Sequence, residues 1–390
     1  MKKVFMVLLL LAIAGGLFAQ TVGFTGVMAS GLTLIGGDSV DGNDPYYAGT
    51  AYRAQLQFNA LNAEGTVGST IRFRMGGNAF GTIATPNLHA YWVWWKPNDF
   101  FRITFGHDNG SYYGTDNITR WGFYGNPCDY WANMNGNVTR HDKGMYDIYN
   151  EAFVAGINVG GPGSVISLYP IEGLDIGVLL PYAAVSNTDG ALNAYKRTAA
   201  QVRYTLDGVG RFALTYRGGL AETFANTGKF TFNFYSASLV DGLELNFGFG
   251  FKLPGDASAT DDTQVKNPIQ IGLGVGYKAG DFGVMFRTNV ALAGEDKNLY
   301  FDADIKPYYA ISESLTFFLS AGIALTSFDA DIDSALGWQV TPYIVYNIGK
   351  GANLNFGAWI YSQTLSSADI ILKADKVVNW AIPISLEYSF

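Results

Sequence analysis

The chain has only three imidazoles, His89, His107 and His141, and two stand beside an aspartate, as His107-Asp108 and His141-Asp142. A carboxylate bonded to an imidazole orients a general base, so these pairs name the chemistry such residues could do: moving a proton at a substrate. Adjacent residues on a strand point to opposite faces, however, and no serine or aspartate constellation completes a relay. The single cysteine, Cys128, supplies neither an intramolecular disulfide nor a cysteine-rich metal site. The sequence therefore predicts no enzyme, no metal and no cofactor. The better candidates for function are arginines spaced two apart or isolated among apolar residues, Arg53, Arg72, Arg74, Arg102, Arg203 and Arg217. What they can do depends on the elements that carry them.

Those elements are strands. Nowhere in the 390 residues beyond the N-terminal segment is there an uncharged apolar run of helix-spanning length, yet glycine (48) and aromatic residues (15%) are abundant and charge is sparse at 15%. Leu243 to Leu253 interleaves Leu, Phe and Leu with Glu244, Asn246, Gly248, Gly250 and Lys252 in strict period two, and Ile269 to Lys278 does the same with Gln270, Gly272, Gly274 and Gly276. Such alternation leaves no helical reading and fits strands with one face to lipid and the other to a lumen. A net charge of −8 argues against a nucleic-acid partner, since an acidic chain does not concentrate phosphate.

Short turns of hairpin type are predicted near Glu64-Gly65, Pro97-Asn98, Glu172-Gly173, Asp207-Gly208, Asp241-Gly242, Gly280-Asp281, Glu313-Ser314 and Gly349-Gly351. They recur every 33 to 39 residues apart from one interval of 75. Longer polar connections alternate with them, such as Gly36 to Gly49, Gly255 to Asn267 and Ser362 to Asp375. Eight hairpins, a first strand around Val22 to Leu34 and a last one ending at Phe390 give an all-β, transmembrane, antiparallel up-and-down barrel of about eighteen strands. Sixteen follow if the stretch around Ser164 to Pro170 is not a strand. Pro307, Pro342 and Pro383 fall inside alternating segments, so a lost ladder bond or a bulge is expected at each.

Lys2 and Lys3, the apolar run Val4 to Ala14 and the small residues up to Ala19 have the three parts of a secretory signal peptide, so residues 1–19 are expected to be removed and 20–390 to form one barrel domain. At the other end Ile384, Leu386, Tyr388 and Phe390 alternate with Ser385, Glu387 and Ser389 and the chain stops on an aromatic. This resembles the C-terminal assembly signal of bacterial outer-membrane barrels. The resemblance implies an outer-membrane location, outer-membrane lipid around the barrel and the barrel assembly machinery as a partner.

If the apolar phase faces lipid, the six arginines point into the lumen together with Lys252, Lys278, Arg287 and Lys306, against Asp175, Glu244, Asp302, Asp304 and Glu387. Ten cations against five acids read either as an anion filter or as pairs that stabilise the wall. Arg53, Arg72, Arg74 and Arg102 fall on strands two, three and five. The long connection 108–150 follows, with Asp108, Asp116, Asp129 and Asp142 and many aromatic residues. This layout is similar to that of general diffusion porins, whose third loop folds into the lumen against a basic wall; the resemblance implies the same for 108–150, and implies a homotrimer. The expected function is a passive channel for small hydrophilic solutes and ions, with anion preference. Two alternatives stand beside it: a channel selective for sugars or aromatic solutes, and an outer-membrane adhesin or structural surface protein with a plugged lumen.

Overall fold

The computed structural model describes residues 19–39, 44–49, 52–77, 87–107, 162–181, 198–217, 229–252, 269–292, 299–327, 335–362, 364–365, 372–373 and 378–390. The predicted leader, apart from Ala19, and the connection 108–150 lie outside the described residues.

Each period-two segment becomes a strand. In chain order these are β1 (Ala19–Asp38), β2 (Tyr46–Gly49), β3 (Tyr52–Asn62), β4 (Val67–Gly77), β5 (Asn87–Asn98), β6 (Phe101–His107), β7 (Pro162–Ile171) and β8 (Leu174–Pro181). There follow β9 (Ala199–Leu206), β10 (Gly210–Arg217), β11 (Lys229–Ser236), β12 (Leu243–Lys252), β13 (Ile269–Ala279), β14 (Phe282–Leu292) and β15 (Leu299–Ala310). The last are β16 (Leu315–Ser327), β17 (Ala335–Gly349), β18 (Ala352–Gly357), β19 (Trp359–Ser362), β20 (Thr364–Leu365), β21 (Leu372–Lys373) and β22 (Asn379–Ser389). Every main pairing is antiparallel and joins chain neighbours, while β1 pairs β3 on one side (Phe24 opposite Phe58) and β22 on the other (Met28 opposite Tyr388). The sheet therefore has no free edge, which is what lets strands cross a bilayer. Taking β2 with β3 and β18 with β19 as single strands, and leaving aside the β20–β21 ribbon, the barrel has eighteen. The stretch 164–170 is part of β7, so the sixteen-strand alternative is set aside.

All eight predicted turns are the short connections of this barrel. Gly242 shows why glycine is needed there: its φ is +72°, and a Cβ would run into the Lys278 carbonyl of the neighbouring hairpin. The three strand prolines each mark a fault in the ladder. Pro383 sits where the β1–β22 register shifts, between Thr33 and Ile35. Pro342 faces the break between β18 and β19, where Ala358 N–H reaches the Pro342 carbonyl at 2.9 Å. Lys306 and Pro307 drop out of the β15–β16 pairing, which runs from Ile305–Ala321 to Tyr308–Phe318. A residue without an N–H cannot hold a ladder position between two neighbours, so the strand slips or breaks beside it.

The barrel is inside-out relative to a water-soluble protein. Large apolar side chains are exposed, Val93 at 47% and Trp95 at 51%, whereas Gln201 and Thr341 are at most 1% exposed. Apolar groups outward and polar groups inward are the distribution lipid demands. Near the short-turn end an exterior aromatic cluster joins first strand to last: Phe24 lies 5.2 Å from Phe58 and 5.4 Å from Phe390, and Phe58 meets Phe73 edge-on at 6.4 Å. Phe390 also exchanges backbone hydrogen bonds with Gly26, at 2.7 and 3.0 Å. The four residues of the assembly motif thus build the closing seam. Leu386, Tyr388 and Phe390 are exposed on its outer face, and Ile384 pairs Leu32.

Candidate functional site: a basic, tryptophan-bearing lumen wall

Strands β3 to β6 are neighbours in the barrel, and none of them contains an aspartate or glutamate, while they carry Arg53, Arg72, Arg74, Lys96 and Arg102. Register fixes which residues share the inner face. Gln57 stands opposite Arg72, and Arg72 opposite Ala90; Asn59 stands opposite Thr70, and Thr70 opposite Trp92. One row along, Gly68, Trp94 and Thr104 align, and Arg102 aligns with Ser167 of β7.

Neutral amides and hydroxyls hold this wall in place. Arg72 Nε donates to Gln57 Oε1 at 2.8 Å, Gln57 Nε2 donates to Asn59 Oδ1 at 3.1 Å, and Thr70 Oγ1 donates to the same Asn59 oxygen at 2.8 Å. The Arg72 guanidinium lies 5.9 Å from the Trp92 ring centre and that of Arg102 lies 4.5 Å from Trp94. A ring face orients a guanidinium without cancelling its charge, as a carboxylate would. Trp94 has room because Gly68 lies beneath it; a Cβ there would overlap the indole. Arg74 stands opposite Gln55, and Arg53 occupies the position opposite Ala29 and Gly76.

Arg203 is differently placed. Its Nε donates to Asp175 Oδ2 at 2.9 Å and its Nη2 binds the same oxygen, so the pair contributes no net charge to the wall. Replacing Asp175 with Asn is expected to lower stability by roughly 2 kcal/mol, through loss of a charged hydrogen bond. It should also raise anion preference by releasing the Arg203 charge. Chemical denaturation and the reversal potential of the variant check the two effects. Arg217 stands opposite Ala199 and Lys229. The predicted loop acids Asp108, Asp116, Asp129 and Asp142 lie outside the described residues; the strands that bracket them, β6 and β7, pair directly, with His107 opposite Pro162.

Sequence reasoning missed the lumen aromatics. Trp92 and Trp94 alternate with outward Tyr91, Val93 and Trp95, so both phases of β5 are aromatic and hydropathy does not separate them. Pairing does: Trp92 stands opposite Thr70 and Trp94 opposite Gly68. Across the lumen Phe318 and Tyr343 stack at 4.8 Å and 7°, Tyr308 adds a ring 5.5 Å from Phe318, and Lys306 Nζ lies 5.1 and 5.5 Å from the first two. Among the described residues no group of three or more His, Cys, Asp or Glu side chains is placed to hold a metal ion.

No protein-family model matches the chain, and no curated protein matches it. Solved structures do. OpdL of Pseudomonas aeruginosa aligns with a TM-score of 0.56 at 10% identity over 95% of this chain and 98% of its own. OccAB4 of Acinetobacter baumannii aligns with a TM-score of 0.54 at 8% identity over 95% and 98%. A porin from Comamonas acidovorans, described as anion-selective, gives 0.52 at 12% identity over 95% and 99%. By fold, then, the chain is an eighteen-stranded barrel of the kind found in bacterial outer-membrane porins.

Proposed function

We propose that the chain is an outer-membrane porin, a passive channel for small hydrophilic solutes and ions that prefers anions. The observation that carries this reading is the arc β3–β6, whose strands hold Arg53, Arg72, Arg74, Lys96 and Arg102 and no aspartate or glutamate, with Arg72 bonded to an amide and Arg72 and Arg102 lying over indole faces. A cation on a lumen wall attracts anions and repels cations over about a Debye length, roughly 10 Å at 0.1 M salt. The fold shared with a porin described as anion-selective supports the same direction. On the opposite side β12 and β13 alternate glycine with polar residues on this face, with Gly248 opposite Gly272, Gly250 opposite Gln270, Gly274 opposite Asn246 and Gly276 opposite Glu244. The acidic connection 108–150 facing the basic wall would add a transverse field that orients permeating dipoles. Signal-peptide removal and secretion through the general pathway belong to this reading, and it includes no catalytic step.

The test is single-channel recording of the refolded protein in a planar bilayer under a salt gradient. Stable conductance steps with a reversal potential on the anion side are expected. Reversal on the cation side overturns the anion assignment, and silence from protein with β-type circular dichroism overturns the pore.

A further inference from the structure

Beyond the basic wall the same face of the sheet carries a row of neutral polar groups. Continuing from Arg102, the register runs through Ser167 of β7, Gly177 of β8, Gln201 of β9, Thr215 of β10, Thr231 of β11 and Gly250 of β12. Asn233 adds an amide in the next row, between Ala213 and Gly248. Barrel strands tilt, so a row perpendicular to them climbs around the lumen. This one starts at Arg102, two positions beyond the short turn at Phe100, and reaches Gln201, six positions before Asp207.

The five polar side chains of this strip are each no more than 6% exposed. One bond within it is made, from Gln201 Nε2 to Thr215 Oγ1 at 2.8 Å. The hydroxyls of Ser167 and Thr231 and both amide atoms of Asn233 have no hydrogen-bond partner among the described residues. Enclosed polar groups left in this state cost free energy unless water or a solute completes them. Hydroxyl and carboxamide groups both donate and accept, so the best replacement for water is a solute that does both. The side chains of the strip carry no charge of their own; Arg102 stands opposite Ser167 at its β6 end, and Arg203, one row from Gln201, is neutralised by Asp175. Arg217 and Lys229 occupy the row beyond it, toward the long connections. Gly177, Gly248, Gly250 and Ala213 stand beside the polar groups and put no long side chain next to them. An anion has acceptors only and is served by β3–β6.

We propose that the β7–β11 face of the lumen is a binding strip for neutral polyhydroxylated solutes, saccharides or polyols, with Ser167, Thr231 and Asn233 as the groups such a solute completes. The strip rests on the reading of the barrel as a pore but not on its anion preference.

Two measurements on the full-length folded barrel test it, and the first needs no conduction. Saturation-transfer NMR in detergent micelles with sucrose should show transfer from protein to sugar, and none to tetraethylene glycol dimethyl ether, which accepts hydrogen bonds but donates none. Transfer to sucrose should be lost in the Thr231→Val/Asn233→Leu double variant. The Ser167→Ala/Thr231→Val variant provides a second route if the first does not fold. In a bilayer, sucrose should reduce wild-type current saturably, with a half-blocking concentration about tenfold higher in the variants, the scale of one lost polar contact. Reversal potential should stay at the wild-type value. Equal transfer to sucrose and the ether, absent transfer to sucrose, or transfer unchanged in the variants overturns the strip. A silent channel that still binds sucrose through these residues overturns conduction instead.

Discussion

Gly31→Val is expected to abolish closure of the barrel. Gly31 of β1 pairs Ser385 of β22, and a Cβ at position 31 would collide with the Ile384 carbonyl oxygen and the Ser385 Cα. Both are backbone atoms of the partner strand, so no side chain can turn aside, and the overlap is relieved only by parting β1 from β22. That pairing is the one that converts an open sheet into a barrel; losing it exposes two strand edges, and in lipid each unsatisfied backbone group costs several kcal/mol. Few such groups suffice to outweigh the ~5–15 kcal/mol that separates folded from unfolded protein. The folded fraction should fall to near zero after refolding into micelles, read as loss of the heat-modifiable gel band. Gly23→Ala, on the same strand and face, is the control: its Cβ would come no closer than 3.8 Å to Asn59 and should fold normally. Normal folding of Gly31→Val would mean that the seam is looser than the pairing Leu32–Ile384 and Met28–Tyr388 indicates.

The seam also illustrates what the sequence reveals on its own. Strands whose two phases differ sharply, such as β12 and β13, announce both their existence and their inner face, because lipid and lumen impose opposite polarity on alternate residues. Turns at Asp207-Gly208 or Gly280-Asp281 are equally legible, since a positive φ requires glycine or a small polar residue there. Legibility ends where both phases have the same chemistry. In β5 the run Tyr91-Trp92-Val93-Trp94-Trp95 is apolar throughout, and only the pairing partner tells that Trp92 and Trp94 face inward. Pairing across the barrel is likewise invisible in one strand: Asp175 and Arg203 are 28 residues apart, and the register alone makes them an ion pair. The prolines were legible as faults but not as kinds of fault. One coincides with a register shift, one with a broken strand and one with two omitted ladder positions.

Neutralising Arg72 and Arg102 together, as Arg72→Gln/Arg102→Gln, is expected to bring anion preference to unity or reverse it. The two guanidiniums sit on adjoining parts of one wall, each over a tryptophan, with no acid on β3–β6 to offset them. A unit charge about 4 Å from a permeating ion contributes about 1 kcal/mol at the dielectric of water and more where the lumen is narrow. The charge attracts anions and repels cations by about that amount each, so each neutralisation should lower the anion-to-cation permeability ratio by up to about 25-fold, and the pair by more if their effects are independent. Glutamine places its amide nitrogen about where the arginine Nε stands and so keeps a donor for Gln57 Oε1, and folding should be little affected. Because the effect is electrostatic, the difference from wild type should be large at 0.1 M salt and shrink toward 1 M, where the Debye length is about 3 Å. Arg72→Lys/Arg102→Lys separates charge from shape. Lysine retains the cation but not the planar fork that lies over the indole, so selectivity should persist while any recognition that needs the ordered guanidinium is lost. An unchanged reversal potential in the glutamine variant would show that ions pass beyond the reach of this wall.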